Sequence, residues 1–191
     1  MSDWKERLRG TLEPILEMRD PRSKLSAYHD MPYAIFRYPP AAEFELRNEL
    51  DLMATRLSQK GKAITTISLA ECLDAALREH APWAKLAEAE KTLGVSAAID
   101  TVHEVLATYC PLVDLVAARM PADPDPLRAI AFIVRAGALF PVYRTSSLLE
   151  QLKGKVTMPA VLFYPGELDG PAGLRFMGIL DAEHNYRSKI I

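Results

Sequence analysis

The hydrophobic positions of this 191-residue chain switch several times between a helical and a strand spacing. From Trp4 to Arg19 the residues Trp4, Leu8, Leu12, Ile15 and Leu16 share one helical face, and Pro21 closes the segment. Tyr33 to Tyr38 (YAIFRY) is β-rich and stops at Pro39 and Pro40, which have no N–H to give to a ladder, so it reads as the first strand. Leu46, Leu50, Met53 and Leu57 then recur at i, i+4, i+7 and i+11, with Glu43 and Glu45 at the positive end of the helix they predict and Gly61 at its return. Ala63 to Leu69 (AITTISL) reads as the second strand, feeding a helix over Glu71 to His80 with Leu73, Ala76 and Leu77 inward. Further helices are expected from Ala84 to Leu93 and along Ile99, Val102, Leu106 and Tyr109, this last one ended by Pro111.

The cluster Pro121-Ala-Asp-Pro-Asp-Pro126 is a rigid connector that admits neither helix nor central strand. Beyond it, Leu127 to Val134 (LRAIAFIV) and Ala160 to Tyr164 (AVLFY) are almost continuously apolar, as strands covered on both faces are. Between them Ser147 and Glu150 match a capping box, followed by Leu148, Leu149 and Leu152, with Gly154 past the end. Leu174 to Met177 and Tyr186 to Ile191 read as two short strands forming an antiparallel C-terminal edge. The expectation is a three-layer α/β fold, a largely parallel sheet with helices on both faces. It is expected as a single domain over 1–191, with a helical lead-in (1–32) and a core (33–191).

Composition narrows the class. With 49% hydrophobic and 25% charged residues, one core is expected, with no need of a metal or disulfide staple, since a chain of this size buries roughly 70% of its unfolded surface. Cys72 and Cys110, in a chain whose N-terminal MSDWKERLRGTLEPILEMRD lacks the apolar run of a secretion signal, read as reduced thiols of a cytoplasmic protein. The most apolar long stretch, Val95 to Ala118, is interrupted by Asp100, His103, Glu104 and Asp114, so no membrane span is expected. A net charge of −2 weighs against a dedicated nucleic-acid binder. Without a Cys-x-x-Cys, and with His29, His80, His103 and His184 scattered, no zinc site is expected.

The phosphate-cradling glycine motifs and the Gly-x-Ser-x-Gly nucleophile turn are absent. The densest polar constellation is Pro165-Gly166-Glu167-Leu168-Asp169-Gly170, with Arg175 after it and Asp181-Ala-Glu183-His184-Asn185-Tyr186-Arg187 near the end. Ligand sites of open α/β sheets gather at the carboxyl ends of strands, which makes Glu167, Asp169 and Asp181 candidates for a metal-dependent hydrolase or a degenerate nucleotide site. The same residues also make a turn, in which Gly166 and Gly170 take positive φ and Asp169 bonds its own backbone. Arg135 or Arg144, flanking a helix start, either holds an anion or pairs with Glu167 or Asp169. Direct DNA contact through Arg135, Arg144, Arg175 and Arg187 ranks below both, given the acidic balance.

A family resemblance becomes specific at these segments. The runs MPAVLFYPGELDG, LRFMGIL and NYRSKII, preceded by GALFPVYRTSSLLEQL and FRYPPAAEFELR, closely resemble the BrxB family, small components of the BREX (bacteriophage exclusion) systems of bacteria. The likeness runs from about Tyr33 to Ile191 and is most distinctive in the last third. It implies work in a multi-subunit complex that blocks phage replication and marks host DNA by adenine methylation, beside a methyltransferase, a large ATPase and PglZ, a protein with an alkaline-phosphatase-like domain. PglZ is the expected direct partner; DNA is met only indirectly, and no metal or other cofactor is expected. The residues expected to carry partner contacts are Arg144, Tyr164, Pro165, Gly166, Glu167, Asp169, Gly170, Arg175, Tyr186 and Arg187, with Tyr186 to Ile191 as an edge open to strand addition.

Overall fold

The described residues of the computed structural model are 2–25, 32–170, 173–184, 186 and 188–191. In chain order the elements are α1 (Asp3–Arg7), α2 (Glu13–Glu17), α3 (Arg22–Leu25), β1 (Tyr33–Tyr38), α4 (Glu43–Gln59), β2 (Ala63–Ser68), α5 (Leu69–His80), α6 (Trp83–Leu93), α7 (Val95–Glu104), α8 (Leu112–Ala117), β3 (Ala129–Val134), α9 (Thr145–Leu152), β4 (Ala160–Asp169), β5 (Gly173–Phe176) and β6 (Lys189–Ile190). Wider π turns at Leu8–Leu12 and Val105–Tyr109 join α1 to α2 and prolong α7. No helix among the described residues is long and apolar enough to cross a membrane.

The main sheet has the order β2-β3-β4-β1-β6, every neighbour parallel, and β5 pairs antiparallel with β4 off that path. The crossover from β1 to β2 carries α4 over one face, and the return through β3 to β4 carries α5 to α9 over the other. Opposite directions on opposite faces give both crossovers the same hand. The chain therefore leaves neighbouring β1 and β4 toward opposite faces, the arrangement that opens a crevice at the carboxyl ends of such a sheet.

Strand alternation builds the two cores. Tyr33 and Ile35 of β1, with Leu162 and Tyr164 of β4, pack under α5, α8 and α9, while Ala34, Phe36, Val161 and Phe163 pack under α4 and the N-terminal helices. On the second face Phe163 meets Phe36 at 5.8 Å and Phe132 edge-on at 5.3 Å. The predicted stripe Leu46, Leu50, Met53 and Leu57 is the buried face of α4, and Leu8, Leu12 and Leu16 are fully buried beside it. Each such side chain contributes about 1.5–3 kcal/mol by leaving water. The expected three-layer α/β architecture is therefore present.

Three local expectations are corrected. The helix α9 begins at Thr145, two residues before the supposed capping box, with Arg144 at its N-cap and Ser147 exposed in its first turn; tertiary partners of Arg144 and Thr145, described below, set that start. β6 is parallel to β1, because Ile191 donates to the Ile35 carbonyl at 2.8 Å and accepts from the Arg37 amide at 3.1 Å; the antiparallel edge is β5. Finally, the segment expected to turn after Tyr164 continues as strand to Asp169.

Candidate functional site

The carboxyl end of β4 organises the site. Pro165 is its last partner in the parallel ladder, opposite Tyr38, and the next residue, Gly166, opens the antiparallel ladder opposite Phe176. A residue without an N–H is tolerated at such a junction, and the Pro165 carbonyl still accepts the Met177 amide at 2.9 Å. Gly166 does not take positive φ; it is there because a Cβ would run into the Arg175 carbonyl and the Tyr164 ring. Gly170, at φ 68°, does supply the left-handed turn residue.

Two groups of polar residues stand on or against this hairpin. In the first, Arg144 Nη1 lies 2.5 Å from Glu183 Oε1, the Tyr186 hydroxyl donates to Glu183 Oε2 at 3.0 Å, and Thr145 Oγ1 meets that hydroxyl at 3.1 Å. Main-chain bonds in both directions between Glu183 and Leu174, each 3.0 Å, hold the tail against β5. Behind Tyr186, edge-on at 6.0 Å, the fully buried Tyr164 places its hydroxyl where it finds no well-formed hydrogen bond. Burial pushes the Tyr164 and Tyr186 hydroxyls well above the ordinary tyrosine range, and the Glu183 carboxylate adds to the effect. The hydrogen bond to Glu183 raises the Arg144 guanidinium further.

In the second group Arg175 Nη2 binds Asp169 Oδ2 at 2.6 Å, and Glu167, directly across the ladder from Arg175, is exposed without an ion pair among the described residues. Arg144 thus pairs with Glu183, rather than with Glu167 or Asp169 as its position after the core strand implied. Arg187 lies outside the described residues. Sequence reasoning placed Glu183, the hub of the first group, in the polar tail without singling it out, and passed over Thr145, buried to 1% exposure. Glu183 had a signal, its place in the acidic tail; Thr145 had none beyond standing next to Arg144.

The candidate carboxylates are engaged or exposed singly. Asp169 is neutralised by Arg175, Asp181 is exposed, and among the described residues no group of three or more His, Cys, Asp or Glu is set to hold a metal ion. His103 Nδ1 is bonded to the Val142 carbonyl at 2.9 Å, and burial pushes the Cys72 and Cys110 thiols up, away from thiolate chemistry. The hydrolase and nucleotide-site alternative therefore has no support from these groups. A family model described as BREX protein BrxB matches residues 65–191. The chain belongs to the BrxB family. It is accordingly a component of a BREX phage-defence system. The matched span begins inside β2 and includes α5 to α9, the β4–β5 hairpin and β6. Among curated proteins and among solved structures, nothing matches the chain.

Proposed function

We propose that this BrxB-family chain is a non-enzymatic adaptor that binds other BREX subunits, PglZ most directly and the ATPase and methyltransferase beyond it. In this way it supports phage restriction and host DNA methylation, and it meets DNA through its partners. The reading rests on one observation: the arginines at the carboxyl end of the sheet, Arg144 and Arg175, are each matched to a carboxylate, while apolar side chains beside them are left open. Arg144 is matched to Glu183 and Arg175 to Asp169. On the same hairpin and the turn after it, Leu168 is 43% and Ile179 69% exposed. Exposed apolar residues rimmed by charge are the makings of a protein contact. Glu167, exposed and unpaired among the described residues, is the residue of this rim available to a basic partner group.

The test is co-purification of the tagged full chain with all other subunits of the system. PglZ is expected to be retained, and Glu167→Arg is expected to lower its retention about tenfold, equivalent to about 1.4 kcal/mol, with an unchanged melting temperature. Recovery of no subunit, even at low salt, overturns the adaptor reading.

A further inference from the structure

The outermost strand β2 pairs with β3 without a bulge, from Ala63 opposite Ala129 to Ser68 opposite Val134. Ala63 gives its N–H to the Arg128 carbonyl at 2.8 Å. By alternation Thr65 and Ile67 also address β3, and the N–H and C=O groups of Ile64 and Thr66 point away from the sheet. Among the described residues no main-chain group beyond the ladder meets them. Edges of this length normally carry a lysine, a proline or a bulge that keeps other chains off. The sequence AITTIS has none, and Ala63 and Thr66 are exposed. The opposite edge is blunted: β6 is two residues long, and Lys189 on it reaches the Lys24 carbonyl at 2.9 Å.

We propose that the β2 edge pairs with the β2 edge of a second copy of this chain, antiparallel about a two-fold axis, with Ile64 opposite Thr66 of the other copy. In this register each outward N–H of Ile64 and Thr66 meets an outward C=O across the axis, and Thr65 faces its own counterpart, an isologous and self-limiting contact. The free edge ends at Ser68, whose hydroxyl caps α5 through the Glu71 amide at 3.3 Å, which fixes how far the pairing extends. Charge favours the second copy. Arg128, whose guanidinium donates to the Gly61 carbonyl at 3.0 Å and has no ion pair among the described residues, stands beside the start of β2, where Lys60 is already paired with Glu17 at 2.5 Å, and Glu71, also without an ion pair among the described residues, stands just past its end. An antiparallel pair therefore sets each basic end beside the other copy's acidic end, whereas a parallel pair would oppose like charges. Because all strands of the main sheet run one way, the two-fold sends the two carboxyl ends, each with its Arg144–Glu183 group, to opposite ends of one continuous sheet. The pairing does not depend on the adaptor reading; if both hold, each assembled pair offers the contact surface twice.

Light scattering on the full chain after size exclusion tests it. A mass of about twice 21.3 kDa is expected for the parent chain. Thr66→Lys, which places an ammonium at the axis from an exposed position, is expected to give the monomer mass at an unchanged melting temperature. Amide exchange at Ile64 and Thr66 is expected to be at least roughly tenfold slower in the parent than in the variant. Ala63→Lys, on an exposed residue of the same edge, repeats the test if Thr66→Lys lowers the melting temperature. A monomeric parent chain at its highest soluble concentration overturns the proposal, including the case in which the edge takes a strand from another protein. A dimer that survives both lysines, with Ile64 exchanging fast, overturns it as well.

Discussion

Two arginine–carboxylate pairs of nearly equal length lie on and beside the β4–β5 hairpin, 2.5 Å for Arg144–Glu183 and 2.6 Å for Arg175–Asp169. Their surroundings differ. Glu183 is 15% exposed, though its partner Arg144 is 50% exposed, and it is shared with the partly buried Tyr186 and ties together segments 39 residues apart. Arg175 and Asp169 are 41% and 42% exposed and belong to the same hairpin. Bond length therefore says little about what each pair is worth. What counts is how much solvent already screens the charges and what is left unsatisfied when one partner goes. By that measure the first pair is a latch that folds the tail onto the sheet, and the second is a surface feature free to be read by another protein.

Both pairs depend on the junction at Gly166, and the largest effect is expected there. Gly166→Ala drives a methyl into the Arg175 carbonyl and the Tyr164 ring, so the hairpin must leave β4 or Tyr164 must leave the core. A loss of about 3 kcal/mol is expected, the upper end for an overpacked core position, and is read from the urea midpoint at constant m-value. A loss below about 0.5 kcal/mol would mean that the hairpin yields locally and the two pairs are mechanically independent of the junction. Glu183→Ala comes next. It leaves the half-exposed Arg144 without its partner at the start of α9 and removes the charged acceptor of the Tyr186 hydroxyl, which keeps Thr145, for a loss of about 2 kcal/mol.

The two regions also differed in how far the sequence disclosed them. The stripe of α4 and the apolar runs of β3 and β4 were legible because one periodicity and one kind of burial produce each. The continuation of β4 was not, since Pro165 and Gly166 are strand breakers in isolation. They fit here because the parallel ladder ends at one and the other lets β5 approach. Asp169 and Arg175, six residues apart across a glycine turn, were in reach of local reasoning. The partner of Arg144 was not: no local spacing encodes a contact with Glu183, and the same remote contact moved the start of α9 ahead of the Ser147 box. The direction of β6 was hidden for a similar reason, being set by the main chain of β1.

A smaller effect, of opposite sign, is expected at Tyr164. Its hydroxyl is buried without a well-formed bond, so Tyr164→Phe is expected to stabilise by up to about 1 kcal/mol at neutral pH. The pH dependence sharpens this. A tyrosine in the unfolded chain titrates near pH 10, whereas burial raises Tyr164 and Tyr186 well above that in the folded protein. Above about pH 10 the folded state holds protons that the unfolded state has lost, so stability falls as pH rises, and below it these groups add no slope. The Phe variant lacks one of the two groups, and its stability is expected to fall less steeply in urea titrations on the alkaline side of pH 10. Identical slopes for parent and variant would mean that Tyr164 is hydrated in the folded protein.

The smallest effect is expected from the exposed pair, where the comparison is most exacting. Asp169→Ala removes a carboxylate 2.6 Å from Arg175, a geometry as good as that of the latch. Both side chains are more than two-fifths exposed, so water and salt already screen the attraction, and holding two mobile side chains together opposes it. A loss of no more than about 0.5 kcal/mol is expected at low ionic strength. It should vanish in about 1 M salt, where the screening length shrinks to about 3 Å. Most of the Glu183→Ala loss should persist in the same salt, because it comes from the lost hydrogen bond between the Tyr186 hydroxyl and the carboxylate, in a partly buried setting, rather than from charge across water. If the two variants lost stability equally, and equally with salt, the Arg144–Glu183 latch would be a surface ion pair like the other, and the tail would have to be held by the Leu174 main-chain bonds alone.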